Sequence, residues 1–580
     1  MHFRMGEKMT KETIFYNLDD LVHNKALLSF VQEDGKWQVV PYETAVFSGK
    51  MLCLGECVHA DEISLKLNQK GWHKIYLGFI GISYQTRTAI RFGKYGKTVF
   101  DLPLVDTWDI QGQITEVFTR ALDLEGVDLT LSKPEGCAPL SSGLAYIRLE
   151  KMTKEEIAEY NKTAGGSVHY HFDQDYLGET HYKSIEDYLG RLGMIENSGG
   201  GILFHETSCD GTFFSTGDVN LPYMSLIQRR NALIKKYHEN RKAIKTLLLK
   251  TAREKGYEVY ATRRICLGDF YIPLTTQYLI HGALNGNEDL QIETRDGRTV
   301  QALSYAYPKA REMAIRSIID SMDGLSYDGV SLAFHRGVFL GFEQPVRERV
   351  WTLYGVDARV LPASDERLHG VWCEYLTTFM RELREKLDET FGKNKLKINA
   401  IVFFDPVSSK NFGFDVETWA KEGLVNNVSQ GMMKWQEDLT NCLDGNGLIN
   451  LEKYVFERGN REILQRVYTD RDTDLTVNGA KAFLDLLNPY DVDFYAALPW
   501  DNAPEHWFYK IASELKTIGV KNLFSWNTNH KARKPAVINA EKEISRNFAS
   551  GKFGLKKAKV YRVLSCGGKN IADWNVNWNG

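Results

Sequence analysis

From residue 167 onward the chain alternates short apolar segments with longer ones of helical spacing, eight times over. The predicted strands are Ser167–Phe172, Gly201–Phe204, Glu258–Thr262, Asp328–Phe334, Lys397–Phe404, Leu424–Val428, Val492–Leu498 and Val520–Ser525. Helical spacing falls between them, with the longest stretches at Leu226–Lys255 and Leu376–Phe391. Parallel strands need a crossover between them, so this alternation builds βαβ units. Eight units in about 380 residues fit a (β/α)8 TIM barrel with long loops. The competing doubly wound sheet calls for a glycine-rich phosphate turn after its first strand. The run Asn197-Ser-Gly-Gly-Gly201 precedes a strand instead.

Residues 1–160 read differently. Lys36–Pro41, Lys74–Ile80, Arg87–Phe92 and Ala145–Leu149 alternate apolar and polar positions, and Gly, Asn and Asp separate them. That pattern predicts an N-terminal antiparallel β-sandwich, with a carbohydrate-binding module as its sharper interpretation. The barrel is expected over 161–549. Residues 550–580 form a tail, expected to pack on the N-terminal domain, with a final strand near Trp574–Trp578.

Composition narrows the function classes. Of 580 residues, 43% are hydrophobic and 25% charged, enough apolar matter for large cores. A net charge of −3 lacks the basic excess of a dedicated nucleic-acid binder. No apolar run approaches membrane-spanning length, and the first twenty residues lack a signal-peptide pattern, so no membrane partner and a cytoplasmic location are expected. The eight cysteines are scattered, apart from Cys53 and Cys57, whose spacing has no second pair to complete a zinc site. They are expected to be reduced.

Barrel chemistry sits at the C-terminal ends of the strands. Those ends offer Asp173, Asp175, His205, Glu206, Arg263, Arg264, His335, Arg336, Asp405, Gln430, Asp501, Trp526 and Asn527. Nucleophile-elbow and P-loop motifs do not occur. His169, His171 and Asp173 alternate along the first strand and outline a metal-dependent alternative, but hydrogen-bonded polar groups inside the barrel are the favoured interpretation, and no metal or cofactor is expected. Carboxylates, arginines and aromatic rings remain. Hydrolysis of a glycosidic bond takes two carboxyl groups, one on each side of the bond. Trp500, Trp526 and Tyr307 are candidates to stack on a sugar face.

Three segments carry a family resemblance: Leu303–Arg311 (LSYAYPKAR), Tyr327–Gly337 (YDGVSLAFHRG) and Asp415–Leu424 (DVETWAKEGL). They resemble the (β/α)8-barrel proteins described as family-10-like hypothetical glycosyl hydrolases, over roughly residues 200–530. The resemblance implies a barrel acting on carbohydrate. Two positions depart from the pattern: Ala333 and Asn426 stand where many of those proteins carry Asp. The loss at Ala333 brings in Glu343, further along the same loop, as a replacement carboxyl.

The expected roles follow. Glu343 and Asp501 are the candidate catalytic pair, after strands four and seven, with Asp405 in reserve. Asp173, His205, Glu206, Arg263, His335, Arg336, Gln430, Trp500 and Trp526 are candidate substrate-binding residues. The adjacent arginines suggest an acidic sugar, since guanidinium forks match planar anions. A catalytically degenerate, sugar-binding barrel is the alternative, motivated by Ala333. The sequence leaves open whether identical chains associate.

Overall fold

The computed structural model describes residues 12–55, 58–81, 86–93, 98–102, 112–133, 141–172, 189–207, 232–266, 286–336, 339–362, 364–431, 469–500, 503–531, 534–555, 559–567 and 569–570. Asp173, Asp175, Asp501, Cys57 and the Trp574–Trp578 segment lie outside these residues, as does the side chain of Arg336.

Eight parallel strands close into a barrel. In order they are Val168–Phe172, Gly201–Glu206, Tyr257–Arg263, Gly329–Ala333, Lys397–Val402, Asn427–Gln430, Asp493–Ala497 and Asn522–Ser525, with the eighth beside the first. Below they are called barrel strands one to eight. The fold is a TIM barrel with a β-rich domain attached. Only strand six is displaced from its expected place. Leu424 and Val425 are buried in the approach to it, with Leu424 N–H donating to the Trp419 carbonyl, and the strand runs on through polar Asn427 and Ser429.

Local signals set the helices around the barrel. Pro308 occupies the first turn of Pro308–Met322, where its missing N–H costs nothing. Asp365 caps Glu366–Phe391 and Gly392 follows its last residue. Thr469 and Asp472 form a capping box on Asp470–Leu487.

Several motif residues turn out to hold the scaffold together. Asp328 precedes strand four, and its Oδ2 accepts the Val259 N–H at 2.8 Å while its own N–H donates to the Val259 carbonyl. Asn426 repeats this before strand six: its Oδ1 accepts the Ile398 N–H at 2.8 Å and its N–H donates to the Ile398 carbonyl. Only an acceptor oxygen is needed, so Asn serves where the related pattern has Asp. Arg311 grips Glu382 through Nε and Nη2 at 2.8 and 2.9 Å and donates from Nη1 to the Tyr305 carbonyl.

In the N-terminal domain, a four-stranded sheet lies across a larger curled one, with Trp37, Leu52, Leu77, Leu129 and Ile147 between them. The larger sheet closes on itself. Strand Val560–Cys566 pairs antiparallel with Gln113–Asp123 on one side and Trp37–Thr44 on the other. Tyr42, Met51, Ile114, Tyr146 and Val563 fill the inside of this ring. Strands buried on both faces lose their alternation, which is why Ser142–Lys151 is buried along eight successive residues. The domain meets the barrel through Arg120, which pairs with Glu196, and through Asn539 Nδ2, which donates to the Phe118 carbonyl at 2.8 Å. Among the described residues, no helix is long and apolar enough to cross a membrane.

Candidate active site

Contacts between non-neighbouring strands identify the side chains inside the barrel. His169 and Phe204 both approach Tyr495, with ring centroids 4.3 and 6.4 Å apart, joining strands one and two to strand seven. Asn427 Nδ2 reaches the Tyr260 hydroxyl at 3.5 Å, from strand six to strand three. Alternation then carries the inward face upward. His171, Glu206, Arg264, Ala333 and Trp526 all turn inward at the C-terminal mouth, and His335 joins them from the turn after strand four.

Glu206 lies at the centre of this group and is 1% exposed. Its Oε2 is 3.5 Å from His171 Nε2 and 3.5 Å from Arg264 Nε. His171 stacks flat on Trp526, centroids 3.7 Å apart at 11°, and His335 meets the same indole edge-on at 4.6 Å. Trp526 therefore stands as a wall between two histidines, 1% exposed, with one ring face covered by His171. A carboxylate, a guanidinium and two imidazoles held by an aromatic wall can bind hydroxyl groups and stabilise developing positive charge.

The other expected site residues occupy varied positions. Arg263 points away from the mouth: its guanidinium donates to the Thr207 carbonyl and to Ser317 Oγ on the surrounding helix Pro308–Met322. His205 follows inward-facing Phe204 and so turns to the outer side of strand two, fully buried. The Gln430 amide braces the structure, donating to the Phe404 and Thr476 carbonyls at 2.8 and 2.9 Å and accepting the Ala497 N–H at 3.0 Å. Trp500 is packed in the barrel core. Asp405 caps helix Pro406–Asn411 by accepting the Ser408 N–H at 2.8 Å. Among the described residues, no three His, Cys, Asp or Glu side chains gather as a metal site.

Glu343 is fully buried and joins two loops. Its carboxylate accepts from the N–H groups of Gly341 at 3.0 Å and Glu293 at 3.3 Å, and from Ser304 Oγ. Burial pushes its pKa up to about 7, against the pull of these hydrogen bonds. The folded protein thus keeps this proton to about pH 7, whereas the unfolded chain releases it near 4.5. The stability contributed by this group therefore falls as pH rises from about 4.5 to about 7 and is constant above, a contribution on the order of 3 kcal/mol. Denaturant melts at pH 5 and pH 8 test this: the wild-type loss on going to pH 8 should shrink in Glu343→Gln, and an equal loss in both proteins rules it out.

Gly431, just after strand six, lets the mouth close up. A Cβ there would run into the Val402 carbonyl oxygen and lie 3.2 Å from His335 Cβ. Gly431→Ala should cost about 1–3 kcal/mol and shift His335 against Trp526. Thermal melts and indole fluorescence test it, and an unchanged melt refutes it.

From the sequence, His171 entered only the metal-dependent alternative and Arg264 only the suggestion of an acidic sugar; neither stood among the candidate catalytic or substrate-binding residues. The one signal available was their position at the ends of strands one and three.

No protein-family model and no curated protein matches the sequence. The family-10-like resemblance therefore rests on its motifs alone. Solved structures similar to this chain include the PgaB (BpsB) glycoside hydrolase domain from Bordetella bronchiseptica, 15% identical with a TM-score of 0.40, covering 68% of this chain and 99% of that one. A β-galactosidase from the psychrophilic Marinomonas ef1 is 11% identical with a TM-score of 0.38, covering 66% of this chain and 59% of that one. A GH36 α-galactosidase, AgaA, from Geobacillus stearothermophilus is 11% identical with a TM-score of 0.29, covering 86% and 64%. The chain thus spans less than two thirds of either galactosidase.

Proposed function

We propose that this protein is a glycoside hydrolase working at the C-terminal mouth of its barrel, with Glu206 as one of the two carboxyl groups. The observation that carries this reading is the Glu206 carboxylate, buried at the end of strand two with Arg264 and His171 both 3.5 Å from one oxygen. Glycosidic cleavage develops positive charge at the anomeric carbon, and a fixed carboxylate answers it as nucleophile or as base toward water. Asp501 is the second carboxyl in this reading, in the loop after strand seven. Glu343, whose oxygens bind two loops together, becomes a structural residue, and Asp405 a helix cap. With Arg263 engaged outside the barrel and Arg264 balanced by Glu206, nothing at the described mouth singles out an acidic sugar.

Assays of the wild-type protein on a panel of aryl glycosides and oligosaccharides test the proposal. Turnover that persists with chelator and collapses in both Glu206→Gln and Asp501→Asn supports it. Turnover indifferent to Glu206→Gln defeats it. Ala333, turned inward beside Arg264, favours a second reading, a barrel that binds sugar without cleaving it. Calorimetric binding of an oligosaccharide with no product formed would decide for that reading.

A further inference from the structure

We infer that Asn527 is a positioning residue: its backbone N–H fixes the tautomer of His171, so that Nε2 carries the ring proton and presents it to Glu206. The importance of this for catalysis rests on the glycosidase reading, whereas the tautomer itself does not.

Four non-glycine residues among those described have positive φ: Asn68, Asn197, Asn394 and Asn527. Only Asn527, at φ 49°, stands at the C-terminal end of a barrel strand. Asparagine tolerates this left-handed conformation better than most residues, but at a cost that the surroundings must offset. Its side-chain oxygen brings no compensation, because Oδ1 is buried with no hydrogen-bond partner. What the conformation achieves is the direction of its N–H, which donates to His171 Nδ1 at 3.4 Å.

The surrounding structure holds the turn in this state. Ser525 Oγ meets Thr528 Oγ1 at 2.9 Å, and Thr528 Oγ1 donates back to the Ser525 carbonyl at 3.1 Å. Lys531 Nζ and Glu541 Oε1 close on Ser525 Oγ from behind, at 3.1 and 2.8 Å. The same strand end lays Trp526 flat on the imidazole and so restrains rotation of the ring. A nitrogen that accepts an N–H is unprotonated, so the neutral ring carries its hydrogen on Nε2. That nitrogen faces Glu206 Oε2 at 3.5 Å. Glu206 Oε2 thus lies 3.5 Å from His171 Nε2 and from Arg264 Nε, at ion-pair rather than hydrogen-bond distance.

The test is ring-nitrogen NMR on full-length protein labelled with 15N-histidine, the His171 signals being assigned among the 14 histidines by their loss in His171→Gln. The expected result at pH 7 is the Nε2–H tautomer in at least about tenfold excess. A dominant Nδ1–H tautomer, or an imidazolium, overturns the inference. Asn527→Gly keeps both the N–H and the positive φ, and should leave the tautomer unchanged; a changed tautomer there assigns the effect to the side chain and overturns the inference. Asn527→Pro removes the donor, and if it folds it should release the second tautomer. If it does not fold, the wild-type and Gly spectra decide the matter without it. An Nε2–H tautomer in a protein that turns over no glycoside leaves this inference standing and removes the glycosidase reading. Glu206-dependent turnover with the Nδ1–H form does the reverse.

Discussion

Glu206→Gln should lower turnover by about 10²–10⁴-fold while leaving the protein folded. Gln preserves the volume and one carbonyl acceptor, so the mouth should keep its shape. It removes the negative charge between Arg264 and His171, whose side chains are 9% and 0% exposed. Uncompensated, the guanidinium costs some stability, so activity is to be read at a temperature where the variant is fully folded, as judged by its melt. The effect should fall on kcat, because the charge serves the oxocarbenium-like transition state more than the bound sugar. A drop of less than tenfold, or one confined to KM, removes Glu206 from the reacting pair.

Lys531→Met should destabilise the barrel by about 3–5 kcal/mol. Lys531 Nζ and Glu541 Oε1 lie 2.9 Å apart with both side chains wholly buried behind strand eight. Removing the cation strands a buried carboxylate whose other oxygen already has no hydrogen-bond partner. Phe508, its ring 5.2 Å from the ammonium, offers that carboxylate no hydrogen bond in return. The double variant Lys531→Met with Glu541→Leu removes both charges together and should regain most of the loss. The measurement is the barrel's own transition in a denaturant melt, since a two-part protein need not unfold in one step. A loss below about 1 kcal/mol in the single variant, or a double variant as unstable as the single, would show that the pair contributes little. The turn that holds Asn527 rests on this pair, so the double variant also shows whether that turn survives without charges.

The barrel itself was legible in the sequence because its period is a local property. Eight apolar segments separated by helical spacing leave few other ways to bury them, and Pro308, Asp365, Gly392 and Thr469 mark helix ends by backbone chemistry alone. The same pattern put polar residues at the strand ends, of which Glu206, Arg264, His335 and Trp526 meet at the mouth while Arg263, Gln430 and Asp405 are engaged elsewhere. Asp328 and Arg311 from the motif segments, and Asn426 just beyond the third, brace strands and helices.

Only the tertiary structure decided which way each strand end faces. Arg263 and Arg264 are neighbours in sequence, yet one bonds to a helix outside the barrel and the other joins Glu206 inside it. His205 and Glu206 divide in the same way. A half-buried strand announces its phase by alternating polar and apolar residues. A parallel barrel strand is buried on both faces, so that record is missing, and an error of one residue sends every side chain to the opposite face. The closure of the N-terminal sheet by Val560–Cys566 was equally out of reach, because it pairs residues more than four hundred positions apart and nothing local in either segment specifies its partner.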